Sequence, residues 1–265
     1  MVDFQCKNRY DWEDLIEIIR ILRAPGGCPW DAEQTHRSIR REFLEETYEV
    51  LDAMDRDDAR DMCEELGDVL LQVVFHTQIE RERGHFDMGD VIDGVAQKMV
   101  YRHPHVFAGG RADTSEEVLV NWEVLKRQEK GQRSTADAIE SVPHTLPALW
   151  RAEKLQKKTA KVGFTYGKTL DALEKLEEEV RELRLALESG AKADAPHGVK
   201  EEVGDILFMA CSIARMEGVE GEEALHSACD KFTQRFRTVE EQAEKPLEEY
   251  SEEELLALWK KAKES

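Results

Sequence analysis

Glu178-Glu179-Val180-Arg181-Glu182, followed beyond a Gly-bearing loop by Glu201-Glu202-Val203-Gly204-Asp205, is the stretch that decides the fold. Read as E-E-x-x-E and E-x-x-D, it sets two carboxylate pairs at i, i+3, Glu179 with Glu182 and Glu202 with Asp205. Residues three apart share a helix face, so an antiparallel helix pair would aim four carboxylates at one spot. Like charges crowded on a buried surface raise one another's pKa. A hard cation resolves that conflict: Mg²⁺ takes oxygen ligands in octahedral geometry and keeps positions for water and phosphate, which suits metal-assisted phosphate chemistry.

The pattern occurs twice. Glu45-Glu46-Thr47-Tyr48-Glu49 precedes Glu64-Glu65-Leu66-Gly67-Asp68, so Glu46 and Glu49 map onto Glu179 and Glu182 by a shift of 133, and Glu65 and Asp68 onto Glu202 and Asp205 by 137. Lys98 and Arg102 recur as Lys231 and Arg235, and Trp122 and Lys126 as Trp259 and Lys263, at the same two shifts. An acidic chain produces one E-x-x-E by chance. Eight carboxylates in register, with a cationic pair and a Trp behind them, indicate tandem duplication of a helical domain, with copies at 1–133 and 134–265.

Composition bounds the rest. A length of 265 residues allows two domains of about 130, each large enough for its own core. The excess of 57 acidic over 37 basic residues, a net charge of −20, argues against nucleic acid or an anionic membrane as partner. It leaves a phosphorylated small molecule open, because a bound metal inverts the local field. Five cysteines, Cys6, Cys28, Cys63, Cys211 and Cys229, lack C-x-x-C spacing and read as reduced thiols. No apolar run reaches the roughly 20 residues that span a bilayer, and the N-terminus lacks signal-peptide character. The expected location is the cytoplasm.

Strand signals are absent, so the expected class is all-α, each copy a bundle of four to five helices. The first short helix, 12–22, stops at the Pro- and Gly-rich turn Ala24-Pro25-Gly26-Gly27-Cys28-Pro29-Trp30-Asp31. The next two, about 37–55 and 59–83, carry apolar stripes at Phe43, Thr47, Val50, Leu51 and Met54, and at Met62, Leu66, Val69, Leu70 and Val73. Both carboxylate pairs flank their stripe at the same angle. Gly67, repeated as Gly204, hints at close helix approach.

Asp87 and Asp90 form a capping box with Phe86 stapled to Val91, and Thr114 with Glu117 caps the helix bearing Trp122 and Lys126. Residues 131–147 read as the linker. Helices over about 149–162, 170–189, 199–217 and 221–245 follow, then one capped by Ser251 with Glu254.

Four stretches resemble the two-domain form of the MazG-type nucleoside triphosphate pyrophosphohydrolases: Gly26-Gly27-Cys28-Pro29-Trp30-Asp31 with Gln34-Thr35-His36, the doubled carboxylate motifs, Arg102-His103-Pro104-His105-Val106-Phe107, and Lys161-Val162-Gly163-Phe164. The resemblance covers nearly the whole chain. It implies hydrolysis of a nucleoside triphosphate between the α and β phosphates to monophosphate and pyrophosphate, for nucleotide-pool house-cleaning or alarmone control. It implies Mg²⁺, or Mn²⁺ in its place, on Glu179, Glu182, Glu202 and Asp205, and in the first copy on Glu46, Glu49, Glu65 and Asp68. Lys231 and Arg235 become phosphate-side cations and Trp259 part of the nucleotide pocket, with Lys98, Arg102, Trp122 and Lys126 as first-copy counterparts. Members usually assemble as dimers.

Glu178, beside the ligands, reads as a residue that positions or deprotonates water, or as a solvated surface group. Lys175, one turn before Glu179, reads as substrate-binding, and residue 42 in its place is Glu, so the second copy is expected to carry most of the turnover. Two other classes stand beside the hydrolase. A di-iron carboxylate bundle needs E-x-x-H on two helices, a spacing found at Glu33–His36, Glu82–His85 and Glu223–His226 but never repeated between the copies. A non-catalytic helical interaction module would leave the carboxylates as a solvated face. His103 and His105, separated by a Pro and unmatched in the second copy, read as loop residues.

Overall fold

The computed structural model describes residues 4–129, 131–190 and 192–264. Among these the regular structure is helical, as the sequence predicts, and the chain divides into two compact units, one up to Lys126 and the other from Arg127. No helix among the described residues is long and apolar enough to cross a membrane.

The first unit holds α1 (Trp12–Arg23), α2 (Pro29–Glu33), α3 (Arg40–Asp55), α4 (Ala59–Glu82), α5 (Met88–Arg102), α6 (Pro104–Phe107) and most of α7 (Ser115–Glu129). Asp11 and Asp14 form a reciprocal capping box that starts α1. The Asp87–Asp90 box starts α5 as expected. The core gathers Ile19 of α1, Ile39, Val74, Phe75 and Ile79 of α4 and Met88 of α5. Burial of such side chains is the main stabilising term, at about 25 cal/mol per Å² of apolar surface.

Arg23 fixes the turn that follows α1. Its Nη1 donates to the carbonyls of Asp31 and Gln34 at 2.6 and 3.1 Å, its Nε and Nη2 reach Glu82 at 2.9 and 2.8 Å, and its guanidinium lies 5.1 Å from the Phe75 ring centroid. Gly27 is required there, since a Cβ would meet the Ile21 carbonyl oxygen at 2.2 Å. The turn thereby ties α2 to the end of α4.

Helices α3 and α4 form an antiparallel hairpin closed by Arg56-Asp57-Asp58, with Asp58 capping α4 through the amides of Arg60 and Asp61. The expected apolar stripes here need correction. Of those ten residues only Val50 is buried, joined by Ala53, whereas Leu51, Met54, Leu66 and Leu70 are 38, 50, 46 and 37% exposed. Helices α1 and α5 cover only the C-terminal half of α4, where Val74, Phe75, Thr77, Gln78 and Ile79 are buried. The carboxylate-bearing half packs chiefly on α3 among the described residues. Phe86, expected as a staple, is 41% exposed, while Val91 packs on the core.

The second unit contains α8 (Thr135–Glu140), α9 (Ala148–Ala160), α10 (Thr169–Ser189), α11 (Val199–Met216), α12 (Gly221–Gln242), a single 3₁₀ turn at Leu247–Glu249 and α13 (Glu252–Glu264). The stretch read as linker carries structure of its own. Ser134 and Asp137 make a capping box for α8, and Ala138 and Val142 are buried. The hairpin of α10 and α11 is the counterpart of α3 and α4; α10 ends at Gly190, whose φ of +64° gives the left-handed cap that favours Gly. Helix α9 packs on α11 and α12, with the Gln156 side chain donating to the Phe208 carbonyl at 2.8 Å. Ser251 and Glu254 cap α13 reciprocally, as predicted.

Candidate metal and phosphate site

The second hairpin brings Glu179 of α10 together with Glu202 and Asp205 of α11, one carboxylate oxygen from each lying within 4.8 Å of the others. Glu179 and Glu202 are only 7 and 3% exposed, and Asp205 stands at the open side. Glu182, the fourth expected member, is exposed on the next turn of α10 and shares a hydrogen bond with Glu179. That bond, then burial and the Glu179 charge, raise the Glu182 carboxyl above the ordinary carboxylate range. Asp205 is raised too, by burial first and then by Glu179 and Glu201, with Lys175 opposing.

Two details bear on how this cluster of negative charge is balanced. Glu202 Oε2 is buried without a hydrogen-bond partner, a costly arrangement unless something binds it. Lys175, at i−4 from Glu179, puts its ammonium 2.9 Å from Glu179 Oε1 and 3.0 Å from Glu178 Oε1. Those bonds, Glu179 first, hold Lys175 well above lysine's ordinary value. The sequence assigns Lys175 to the substrate and Glu178 to water; here the two are joined to each other. His197 Nδ1, 3.9 Å from Glu202 Oε1, is a neighbour the sequence does not single out, because it lies in the loop before α11.

In the first hairpin Glu46, Glu49 and Glu65 converge within the same 4.8 Å limit. Glu46 and Glu65 are half-buried and Glu49 is exposed. Burial and then the charges of Asp68 and Glu49 raise Glu46; burial and then Glu49 raise Glu65. Asp68 is half-buried beside them. Glu42, in the place of Lys175, has a buried Oε2 without a hydrogen-bond partner.

The cationic helices differ as well. In the first unit Arg102 is buried with its guanidinium 5.1 Å from the Trp122 centroid, and Lys126 Nζ lies 4.6 Å from the same ring. In the second, Trp259 leans on Phe232 at 5.0 Å between centroids, with Lys263 Nζ at 5.9 Å. Lys98 and Lys231 are exposed and Arg235 is half-buried. None of these three forms an ion pair with a described carboxylate, so the hairpins assemble the acidic half of each site and leave these cations uncommitted.

The histidines of two E-x-x-H pairs, His36 and His85, both reach Glu80, a residue outside either pair. Glu82 is taken by Arg23, and His85 Nδ1 is 2.6 Å from Glu80. His103 Nδ1 donates to the Met99 carbonyl at 2.6 Å between α5 and α6, whereas His105, read as a loop residue with it, lies within the short helix α6. Sequence reasoning misses one network: His36 bridges His76 (Nδ1 to Nδ1, 2.7 Å) and Glu80 (2.5 Å), pinning the Thr35-His36 loop to α4. The partners lie 40 and 44 residues away, beyond any local pattern.

With this geometry in hand, comparison with known proteins adds the following. Residues 34–107 and 168–240 each match the MazG nucleotide pyrophosphohydrolase domain. The chain is 46% identical over 231 residues to a nucleoside triphosphate pyrophosphohydrolase of Escherichia coli K12, covering 85% of this chain and 86% of that one. It is 42% identical over 255 residues to the nucleoside triphosphate pyrophosphohydrolase/pyrophosphatase MazG of Thermotoga maritima, with 95% of each covered. A third relative, named uncharacterized protein YabN of Bacillus subtilis, is 46% identical over 259 residues, which are 97% of this chain and 52% of that protein.

Proposed function

The chain belongs to the MazG nucleotide pyrophosphohydrolase family, and from that premise we infer that it hydrolyses nucleoside triphosphates between the α and β phosphates, giving monophosphate and pyrophosphate, with Mg²⁺ as the working ion and the second hairpin as the principal site. The observation that carries the metal assignment is the pair of buried carboxylates, Glu179 and Glu202, one with an orphaned oxygen, set within 4.8 Å of Asp205. An all-oxygen, multiply anionic donor set fits a hard divalent cation better than a soft one.

Glu179, Glu202, Asp205 and the adjoining Glu182 would hold the ion. The chemistry it supplies when bound is Lewis-acid polarisation and neutralisation of phosphoryl oxygens. The remaining work belongs to positioned side chains, because phosphoryl transfer needs charge stabilisation and in-line alignment more than covalent help. Lys231 and Arg235, one turn apart on α12 and without a carboxylate partner among the described residues, suit the β and γ phosphates. Trp259 against Phe232 offers an aromatic surface to the base. Glu178, half exposed at the rim, can accept a proton from the attacking water once Lys175 moves away.

Incubation with a panel of nucleoside triphosphates and Mg²⁺ tests this: pyrophosphate and monophosphate should appear in equal amounts, and Glu202→Gln should abolish most of the release. Orthophosphate as the main product would overturn it.

We also propose that the two units correspond to the two copies of the duplication, the division between copies at 133/134 falling a little beyond the boundary of the compact units at Lys126, and that the chain is a homodimer or higher homo-oligomer in the cytoplasm. The half-exposed apolar residues of the hairpins, Leu66 and Leu70 in the first unit and Val203, Leu207 and Phe208 in the second, support a bundle completed by a second copy. A mass near 30.5 kDa by light scattering at micromolar concentration would refute the assembly.

A further inference from the structure

We propose that Lys175 is a built-in substitute for the metal's charge, handed from Glu179 to the triphosphate when the ion loads, so that metal and nucleotide binding reinforce each other through this one side chain. The proposal rests on the second hairpin being the metal site, as argued above.

Glu179 and Glu202 are almost wholly buried on facing helices, and a buried carboxylate needs a partner. Lys175 provides one from the same helix, its Nζ 2.9 Å from Oε1 of Glu179, one of the three carboxylates that converge on the candidate metal position. An ammonium and a divalent cation cannot both sit on that carboxylate without repelling each other. The ammonium is the one able to leave. It ends a flexible four-carbon stem, its side chain is 33% exposed, and Glu178 at 3.0 Å gives it a foothold nearer solvent. A bound triphosphate presents anionic oxygens to the displaced ammonium, replacing the ion pair that it lost.

Two consequences follow by linkage. In the absence of nucleotide Lys175 competes with the metal, and nucleotide removes that competition, so each ligand tightens the other by the same factor. The first hairpin lacks the device: residue 42 is a glutamate with a buried, unpartnered oxygen, and among the described residues no ion pair joins a lysine or arginine to Glu46, Glu49, Glu65 or Asp68. Its quartet should load without competition and gain little from nucleotide.

The test measures Mn²⁺ binding to the full chain by the electron paramagnetic resonance of free Mn²⁺, with and without an α,β-methylene nucleoside triphosphate, in a Glu49→Gln/Glu65→Gln background that silences the first quartet. Lys175→Gln should tighten Mn²⁺ binding without nucleotide by roughly three- to tenfold and shrink the enhancement that nucleotide gives, whereas Lys175→Arg should keep the weaker, nucleotide-enhanced binding. Should Lys175→Gln fold only when purified with Mn²⁺, its loss of the ion to EDTA should be slower than in the parent. Unchanged or weaker Mn²⁺ binding in Lys175→Gln, or faster loss to EDTA, would overturn the hand-over while leaving the metal site standing. Absence of Mn²⁺ binding at the second hairpin in parent and variant alike would overturn both.

Discussion

The two hairpins carry the same four carboxylates in the same register, yet they are different electrostatic objects. In the second, two carboxylates are buried and an internal lysine balances one of them; in the first, the carboxylates are half-buried or exposed and a fifth acid stands where the lysine would be. Around the tryptophans the contrast reverses. Trp122 is already occupied by a buried arginine and a lysine, whereas Trp259 has an aromatic neighbour and a more distant lysine. Duplication has kept the carboxylates while their surroundings diverged, and on the function proposed above those surroundings set how readily a polyanionic substrate joins a bound ion.

The largest effect expected from that difference is on metal dependence. EDTA should abolish pyrophosphate release, and Mn²⁺ returned to the stripped protein in the absence of nucleotide should fill the first quartet first, so that a single turnover begun by adding nucleotide rises with the second class of sites. Activity that rises in step with the first equivalent of Mn²⁺ would reverse the assignment of the working copy.

A smaller effect is expected from converting one hairpin toward the other. A unit charge near 4 Å is worth roughly 1 kcal/mol in water, so Glu42→Lys, which removes an anion and adds a cation, should tighten binding of an α,β-methylene triphosphate to the first unit by about thirtyfold. Calorimetry in a Glu202→Gln background isolates that unit. No change there would mean that residue 42 does not face the triphosphate.

The smallest effect is thermal. Saturating Mg²⁺ should raise the melting temperature by about 3 °C or more, and a Glu65→Gln/Glu202→Gln double mutant should lose the shift. The pH dependence has a definite sign. Glu46, Glu65, Glu182 and Asp205 hold their protons to higher pH folded than unfolded, where they titrate near 4.5, or 3.8 for Asp205. Their repulsion is therefore relieved as pH falls toward the unfolded values and is in full force once pH has risen through the folded ones. The Mg²⁺-induced shift should thus be larger at pH 8 than at pH 5, as differential scanning calorimetry can show. Equal shifts would mean that the quartets are not its source.

Much of this was legible in the residues because the signals are local. The i, i+3 carboxylates, the boxes at Asp87 and Asp90 and at Ser251 and Glu254, and the glycine that ends α10 each act within one or two helical turns. Periodicity gave the faces of α3 and α4 but not their burial. Whether Leu66 or Val74 lies inside depends on where α1 and α5 end, and that is a tertiary matter. The Ser134–Asp137 box was hidden by the glycine and prolines around it. The pairing of Lys175 with Glu179 follows from their i, i+4 spacing, but the same spacing suits an exposed lysine that meets a ligand, and the burial of Glu179 that decides between them is tertiary. The His36–His76–Glu80 chain joins residues too far apart in sequence for any pattern to link.

The central claim is that the buried, lysine-balanced hairpin does the work, and the most direct measurement is pyrophosphate release by Glu182→Gln and Glu49→Gln side by side, at saturating Mg²⁺ and nucleoside triphosphate. Loss of a ligand from the working site should cost on the order of a hundredfold, so Glu182→Gln should retain about 1% of the parent rate and Glu49→Gln more than about half. The reverse ranking, or equal losses in both, would contradict the account.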